Sequence, residues 1–343
     1  MRIRQVKVRR QCSAAQLLAS RGITSKLRLR AMKITGISLV RNEEDLVGTC
    51  LRHHLAVGFD ELVVIDNGSS DRTPQVLASF RNDSRVKWTR YDGPFVQNHI
   101  VSSLAREAFQ RGSDWIVTFD ADEFWYAPRG SFRDVLATTR AGALRVRFAD
   151  FVQRRKQYRD SPRSLLHMTR RAARTVPYDE AVPLVQNNKL GFVESEFPAK
   201  WIGRASADFF IAKGSHGITG VPEPHEDTDQ IICLHAPIRS RERLDQKADQ
   251  AARIIETKPL PGEAWQTLRW GNLKRDGKLN EEWAANSYEN DHLDVYGEKH
   301  PVIHDPRLRD LVAPHLPPWW WFDVLPPTRH TVRRLLRAWF RRP

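Results

Sequence analysis

The chain has 343 residues, of which 41% are hydrophobic, so it is long and apolar enough to bury a large core, and a disordered chain is excluded. Its formal net charge of +14 lies at its two ends. Residues 1–33 hold ten Lys/Arg and residues 324–343 hold six Arg, with no acid in either, which leaves −2 for the span between them. This distribution argues against a nucleic-acid-binding protein with a basic folded core.

The cysteines and the N-terminal segment bear on the compartment. Cys12, Cys50 and Cys233 are far apart and form no C-x-x-C, so the sequence predicts neither a disulfide framework nor a cysteine zinc site. No apolar run approaches the roughly 18 residues that a membrane span requires. We expect a reducing cytosol. Residues 1–31 are interpreted as a basic disordered leader, or as sequence upstream of a start at Met32, rather than as a targeting signal.

From Met32 the sequence alternates short apolar runs with segments of helical period. This alternation predicts an α/β fold, with a parallel sheet and crossover helices. The predicted strands are residues 34–40, 62–65, 86–91, 115–119 and 144–148. The first predicted helix opens at 41–44 and has apolar positions through Leu55. Two further helices are predicted over 73–80 and 97–111.

The pattern loosens after residue 148. Residues 151–175 hold many arginines against one acid, which predicts a mobile basic insertion or an acceptor loop. Strands are expected again at 200–202 and 209–211, and a helix at 241–257. We therefore predict one domain over 32–235 and a helical, Trp/Pro-rich extension over 236–343.

The last predicted element is a basic amphipathic helix. Its apolar side chains recur at helical spacing, with arginines on the other face. Two interpretations stay open: binding to an anionic membrane surface, or docking of the apolar stripe on the preceding domain. The stripe consists of Val332, Leu335, Leu336, Trp339 and Phe340.

Polar side chains follow three of the predicted strands. Asn42 and Glu43 follow the first strand, Asp66 the second, and Asp120 with Asp122 the fourth. The carboxyl ends of parallel strands meet at one crevice, so these groups should share a site. Two carboxylates one residue apart are a compact way to hold Mg²⁺ or Mn²⁺ against a diphosphate.

Four motifs together resemble the family 2-like glycosyltransferases, and most of all the branch related to family 92. They are Ser38–Glu43, His53–Phe59, Asp66–Thr73 and Asp120–Phe124, and the resemblance extends from residue 34 to about 250. Arg41 stands where that branch usually has Lys. The resemblance implies a GT-A fold and a metal-dependent, inverting transferase. It implies a nucleotide-sugar donor, with a UDP-sugar favoured, and a glycan or lipid-linked acceptor.

The resemblance and the strand positions together suggest roles for the polar groups. Asp66 is expected to accept hydrogen bonds from a nucleobase or ribose. Asn42 and Glu43 would face the nucleotide from the start of the first helix, or else simply cap that helix. Asp120 and Asp122 would hold Mn²⁺ or Mg²⁺ between the phosphates, the alternative being a solvated acidic turn.

A third metal ligand is expected farther along the chain. His216 and His235 are both candidates, although each is equally explained as a packed or exposed histidine. His235 opens the segment His235–Ser240, which echoes the family's H-Y-x-x-R-S. Lys200 matches a lysine before a strand in the family and would contact phosphate, unless it is an ordinary surface lysine.

Inversion by direct displacement needs a carboxylate base at the acceptor hydroxyl. Glu226 and Asp227 are the candidates, and the sequence does not choose between them or exclude a solvated loop. The basic residues of 151–175 could hold an anionic acceptor, or form a solvated face.

Two other functions compete with glycosyl transfer. A sugar-phosphate nucleotidyltransferase usually has a Gly-rich basic loop after its first strand, which Arg41–Glu44 is not. A non-enzymatic protein that binds polyanions through its basic ends is the second alternative, with no specific nucleic acid as partner. For the enzyme we expect a cytoplasmic protein, in part on the inner face of the membrane.

Overall fold

The computed structural model describes residues 31–93, 97–256 and 264–317. The described residues from Lys33 onward form one compact unit. None of their helices is long and apolar enough to cross a membrane. Residues 1–30 of the predicted leader and the predicted amphipathic helix around 332–340 lie outside the described residues.

The strands and helices alternate along the first half of the chain, as predicted. The strands are β1 Ile34–Val40, β2 Glu61–Asp66, β3 Val86–Arg90, β4 Trp115–Thr118, β5 Glu123–Tyr126, β6 Ala143–Asp150, β7 Gln153–Arg154, β8 Arg170–Ala172, β9 Val176–Pro177, β10 Ser195–Glu196, β11 Lys200–Arg204, β12 Phe210–Ile211, β13 Ile218–Thr219, β14 His225–His235, β15 Ser287–Glu289, β16 His292–Val295 and β17 Glu298–His304. The α-helices are α1 Val47–Ala56, α2 Thr73–Ala78, α3 Gln97–Gln110, α4 Phe132–Thr138, α5 Tyr178–Gln186, α6 Arg241–Asp249, α7 Ala251–Glu256, α8 Trp265–Arg275, α9 Leu279–Ala285 and α10 Arg307–Val312.

The main sheet has eight strands in the order β3-β2-β1-β4-β11-β6-β14-β5. Strands β3, β2, β1 and β4 are parallel to one another. Strand β11 runs antiparallel between β4 and β6, β14 is parallel to β6, and β5 is antiparallel at the edge. Six strands therefore point the same way, and the predicted α/β class with a mostly parallel sheet is confirmed.

The centre of the sheet is tightly packed. Strands β2 and β4 are buried at every position, which explains their continuous apolar sequences. At Gly36 in β1, a Cβ atom would lie 2.8 Å from side-chain carbons of Phe59, Leu62 and Phe119. A side chain is therefore excluded there, and the absence of one lets β1 pack closely against these three side chains.

A second sheet joins two distant parts of the chain. Its order is β7-β15-β16-β17-β8, so strands from residues 151–175 flank strands from 287–304. Arg170 pairs with Asp291 at 2.8 Å and Arg171 with Asp305 at 2.6 Å. The prediction of a mobile insertion at 151–175 is therefore wrong, because β7 and β8 fix two points of this segment in the sheet, while an acceptor loop there stays a prediction. The predicted domain boundary near residue 236 would separate β7 and β8 from β15, β16 and β17, which belong to the same sheet.

Two adjacent histidines lie under the strand ends. His53 Nε2 donates a hydrogen bond to the carbonyl of Trp125 at 2.8 Å, and His54 Nδ1 donates to the carbonyl of Cys50 at 2.8 Å. The His54 ring stacks on Phe119, with ring centroids 4.1 Å apart. Burial lowers the pKa of His53 to about 4 and that of His54 well below its usual value. Both rings are therefore neutral packing groups.

These neutral rings predict a loss of stability in acid. The unfolded chain protonates His53 near pH 6.5, whereas the folded protein does so only near pH 4, so the stability from neutral His53 is lost as the pH falls through this window. Between pH 7 and pH 5, we expect the free energy of unfolding to fall by about 2 kcal/mol more in the wild type than in His53→Gln. Urea denaturation at both pH values measures this.

The exposed His304 provides the control for this experiment. His304→Gln should keep the pH dependence of the wild type. Equal pH dependence in His53→Gln and the wild type would contradict the assignment of a buried neutral ring to His53.

Candidate active site

One edge of the main sheet brings charged groups together. Some strands end at this edge and others begin there. Strands β6 and β14 end at Asp150 and His235, and these two residues are direct partners in the sheet. Strands β11 and β5 run the opposite way, so their first residues, Lys200 and Glu123, lie at the same edge. The predicted convergence of polar groups at the carboxyl ends is what the fold shows.

Lys200 joins two carboxylates of the predicted metal motif. It is 3% exposed, and its ammonium donates to Asp120 Oδ2 at 2.8 Å and also to Glu123. Burial raises the pKa of Glu123 to about 7, against the lowering effect of Lys200. The side chain of Asp120 is 45% exposed. Lys200 is thus no ordinary surface lysine, and its ammonium is bound to carboxylates; contact with a phosphate stays a prediction.

Asp122 faces an oriented histidine. His235 Nε2 lies 3.7 Å from Asp122 Oδ1, while His235 Nδ1 is 2.6 Å from Asp150 Oδ1. Burial alone would raise the pKa of Asp122, but Lys247, His235 and nearby cations lower it to about 2. Asp150 fixes the imidazole so that Nε2 points to Asp122, as carboxylates do for metal-binding histidines.

Two buried arginines complete the site. Arg239 donates from Nε to Asp45 Oδ2 at 2.8 Å and from Nη2 to Glu43 Oε2 at 2.7 Å. Arg243 Nη2 binds the same two carboxylates, at 2.8 Å to Asp45 and 2.9 Å to Glu43. Burial raises the pKa of Glu43 despite both arginines. Glu43 is therefore part of an ion-pair network, and contact with a nucleotide stays a prediction.

One donor of this network has no hydrogen bond. Arg239 Nη1 is buried, and among the described residues it has no hydrogen-bond partner. It lies 3.6 Å from Asp122 Oδ2, and Lys247 Nζ lies 3.6 Å from the same oxygen. Two cationic donors thus approach the same carboxylate oxygen of Asp122.

Asn42 and Asp66 brace the loops in this structure. Asn42 has a left-handed backbone, with φ 55°, and its Oδ1 accepts from the amide of Ser70 at 2.7 Å. Asp66 is fully buried, and its Oδ1 accepts from the amide of Ser69 at 3.0 Å. Helix α1 begins at Val47, so the predicted helix start at Asn42 and Glu43 is wrong. Contact of Asp66 with a nucleobase stays a prediction.

Glu226 and Asp227 do not reach the site. They are exposed at the start of β14 and pair with Leu144 and Arg145 at the start of β6. His235 and Asp150 stand at the other ends of these two parallel strands. The whole length of β14 separates the predicted base from the metal motif, which corrects this prediction.

The charges of Lys200 and Asp120 act on His216. Its Nδ1 is 3.3 Å from the carbonyl of Ala199, and burial lowers its pKa. In the ranges that the structure covers, no three His, Cys, Asp or Glu side chains are close enough to form a metal cluster. The ligand pair that the structure brings together is Asp122 with His235, and His216 as a ligand stays a prediction.

Several site residues were missed by sequence reasoning. Asp150 follows the predicted strand 144–148 directly, so the rule that identified Asp66 and Asp120 could have identified it. Arg239 occupies the arginine position in the echo of H-Y-x-x-R-S. Asp45 and Lys247 have no such signal, because only the fold brings them to the site.

The site fits a divalent cation. Asp122 and His235 supply one carboxylate and one imidazole, a donor set that Mn²⁺ accepts, with the imidazole held by Asp150. Seven carboxyl groups and four lysine and arginine side chains make up the network around this pair. The carboxylates are Glu43, Asp45, Asp120, Asp122, Glu123, Asp150 and Asp160, and the cations are Lys200, Arg239, Arg243 and Lys247.

The class of protein follows from a family match. Residues 37–129 match the family described as glycosyl transferase family 2. The matched region contains Asp66, Asp120 and Asp122, and it covers the sheet from β1 through β5. Residues 37–129 of this chain are therefore similar to a glycosyltransferase domain, and the α/β fold with its mostly parallel sheet is of the GT-A type. The resemblance to family 2-like glycosyltransferases is borne out, while the relation to the family 92 branch stays a prediction.

Solved structures with a related fold are distant. The S. aureus TarS 1-349 structure matches with 15% identity and a TM-score of 0.37, over 65% of this chain and 66% of that one, just under two thirds. Its complex with UDP-GlcNAc gives 15% identity and a TM-score of 0.36, over 64% and 66%. A putative glucose-1-phosphate thymidylyltransferase from Bacillus anthracis gives 12% and 0.26, over 36% and 58%. TM-scores this low do not support any conclusion about the substrate of this chain. A search of curated proteins found no match.

Proposed function

We propose that this protein is a metal-dependent glycosyltransferase that moves a sugar from a nucleotide diphosphate donor, with a UDP-sugar favoured, to a glycan or lipid-linked acceptor. The observation that carries this proposal is the set formed by Asp122, His235 and Asp150 at the carboxyl edge of a glycosyltransferase domain. Inversion at the anomeric carbon, peripheral membrane binding and a cytoplasmic location stay predictions.

Asp122 and His235 would hold the Mn²⁺ or Mg²⁺ ion, together with the exposed Asp120, which is the first carboxylate of the Asp-x-Asp motif. The bound ion would offset the charge that accumulates on the diphosphate as the sugar leaves. Asp150 keeps His235 Nε2 directed at Asp122. Lys200 holds Asp120 and Glu123 in place.

Two further cations suit the diphosphate. Arg239 Nη1 has an unused donor in a buried position, and Lys247 Nζ approaches the same side of Asp122. Because Asp45 and Glu43 bind the other nitrogens of Arg239, its guanidinium cannot rotate away from Asp122. A phosphate oxygen at this position would receive a charge-assisted hydrogen bond from a fixed donor.

The test is the binding of UDP by the full chain with and without Mn²⁺, measured as a shift in melting temperature and by calorimetry. We expect UDP with Mn²⁺ to stabilise the protein by about 2.7 kcal/mol at a hundredfold excess over Kd, and UDP alone to stabilise it much less. Asp120→Asn should lose most of this dependence on Mn²⁺, because the exposed carboxylate of the motif is removed.

Asp227→Asn is the matched control, since it removes an equivalent charge at the opposite end of β14. Equal binding of UDP with and without Mn²⁺ would overturn the role of the metal. Failure of every nucleoside diphosphate to bind would overturn the transferase proposal itself.

A further inference from the structure

The arginines of residues 151–175 fall into two groups. Those in and near the second sheet pair with acids: Arg155 lies 3.7 Å from Asp294, and Arg170 and Arg171 bind Asp291 and Asp305. The other group, three arginines and one lysine, lies on residues 154–163, here called the basic loop, which also contains the paired Arg155. The members of this group are exposed: Arg154, Lys156, Arg159 and Arg163.

Three cations of the basic loop are uncompensated. Within the part of the chain that the structure describes, Lys156, Arg159 and Arg163 have no ion pair, while Arg154 donates to His167 Nδ1 at 2.9 Å. The body of the protein between the basic ends has a charge of only −2. The basic loop is thus a local concentration of positive charge on a nearly neutral domain.

The basic loop is fastened to the active site. The amides of Arg241 and Glu242, at the start of α6, donate to the carbonyls of Gln157 and Tyr158 at 3.0 and 2.9 Å. Asp160 accepts from the hydroxyl of Ser240 at 2.5 Å and lies 3.6 Å from Arg243 Nε. Since Ser240 follows Arg239, whose guanidinium faces Asp122, the loop is attached to the chain segment that supplies the buried arginines of the proposed donor site.

An aromatic side chain stands among these cations. Tyr158 is 62% exposed, which is unusual for a ring of this size. Its backbone is held by Glu242, so the ring is presented from a fixed position. A fixed aromatic face flanked by arginines can stack on a sugar ring while the guanidinium groups bind its anionic substituents.

We propose that the basic loop binds an anionic glycan, with carboxylate or phosphate groups, as the acceptor of the proposed transfer. That the glycan is the acceptor rests on the proposed function. That the glycan binds here rests on the basic loop alone. Lys156, Arg159 and Arg163 would recognise the charges, and Tyr158 would contact the sugar.

The first experiment measures acetylation of individual lysines in the full chain. Acetylation is measured in the presence of four polymers in turn. Polygalacturonate carries carboxylates, a phosphomannan carries phosphates, dextran is a neutral glycan, and poly(A) is an anionic polymer that is not a glycan. We expect polygalacturonate or phosphomannan to slow acetylation of Lys156 severalfold and to leave the exposed Lys189 unchanged, an effect that weakens with added salt. This local readout is independent of polymer bound to the basic ends. The anionic glycan that protects Lys156 shows whether the basic loop recognises carboxylate or phosphate groups.

Variants connect the protection to the loop. Arg159→Gln with Arg163→Gln should abolish protection of Lys156, whereas Arg81→Gln with Arg140→Gln, the same charge change at two exposed sites elsewhere, should preserve it. With UDP-sugars and Mn²⁺, the loop variant should raise KM for the protecting polymer severalfold and leave KM for the UDP-sugar unchanged. Tyr158→Phe should behave as wild type, and Tyr158→Ala should weaken protection.

Several results would overturn the proposal: no protection of Lys156, equal protection by dextran, equal protection by poly(A), or an unchanged KM for the polymer in the loop variant. Binding of UDP with Mn²⁺ is measured on the same samples. If UDP binds and no glycan protects Lys156, only this inference fails; if no nucleoside diphosphate binds, the proposed function fails instead.

Discussion

Replacing Asp122 by Asn is expected to lower the Mn²⁺-dependent affinity for UDP by about 100-fold or more, since even groups that merely support a metal ligand contribute 10–100-fold. The side chain is nearly buried and faces His235 Nε2 at 3.7 Å. Loss of its charge removes the one carboxylate that the structure places opposite the imidazole. Titration calorimetry of UDP in the presence and absence of Mn²⁺ measures the effect, and turnover should fall in parallel.

The control for this variant is Asp227→Asn, which should bind UDP as the wild type does because Asp227 is exposed at the far end of β14. Circular dichroism should show that Asp122→Asn remains folded. An Asp122→Asn protein with the affinity of the wild type would show that the Asp-x-Asp motif holds no metal here.

The second large effect concerns stability. Arg239→Met is expected to lower the free energy of unfolding by about 3–5 kcal/mol, the usual result of removing one partner from a buried ion pair. Arg239 is 0% exposed and binds both Asp45 and Glu43, which would be left with Arg243 alone. Urea denaturation at pH 7 measures the change. Arg239→Lys should recover only part of the loss, since an ammonium cannot make the forked contact.

Arg85→Met is the matched control, because Arg85 makes a surface pair with Asp83 and should contribute less than about 1 kcal/mol. A loss of stability in Arg239→Met no larger than that in Arg85→Met would mean that the network does not hold the site together.

Six of the eight strands of the main sheet were predicted from the sequence, and β5 and β14 were not. Strands β2 and β4 are continuous apolar runs, and the polar residues that follow them lie at the edge where parallel strands end. The same rule places Asp66, Asp120 and Asp122 correctly at this edge. Position along a strand is therefore enough to place these residues at one edge of the sheet, although not to find which residues each side chain contacts.

The errors have two physical sources. The segment from His225 to Asp229 reads as a polar loop, but it is the start of β14, paired with β6 on an exposed part of the sheet, where polar side chains are tolerated. The partners of Asp45 are 194 and 198 residues away, and no local pattern encodes a contact of that separation. Arg170 and Arg171 likewise find their counterions only through the second sheet.

The buried arginines have a consequence for the order in which the protein is made. Synthesis proceeds from the N terminus, so Glu43 and Asp45 emerge from the ribosome long before Arg239 and Arg243, and strands β7 and β8 emerge long before β15 to β17. Until the last third of the chain is available, the early strands can form a sheet only around uncompensated carboxylates. The nascent domain should therefore remain incomplete, with completion of its site coupled to the synthesis of Arg239, Arg243 and β15 to β17.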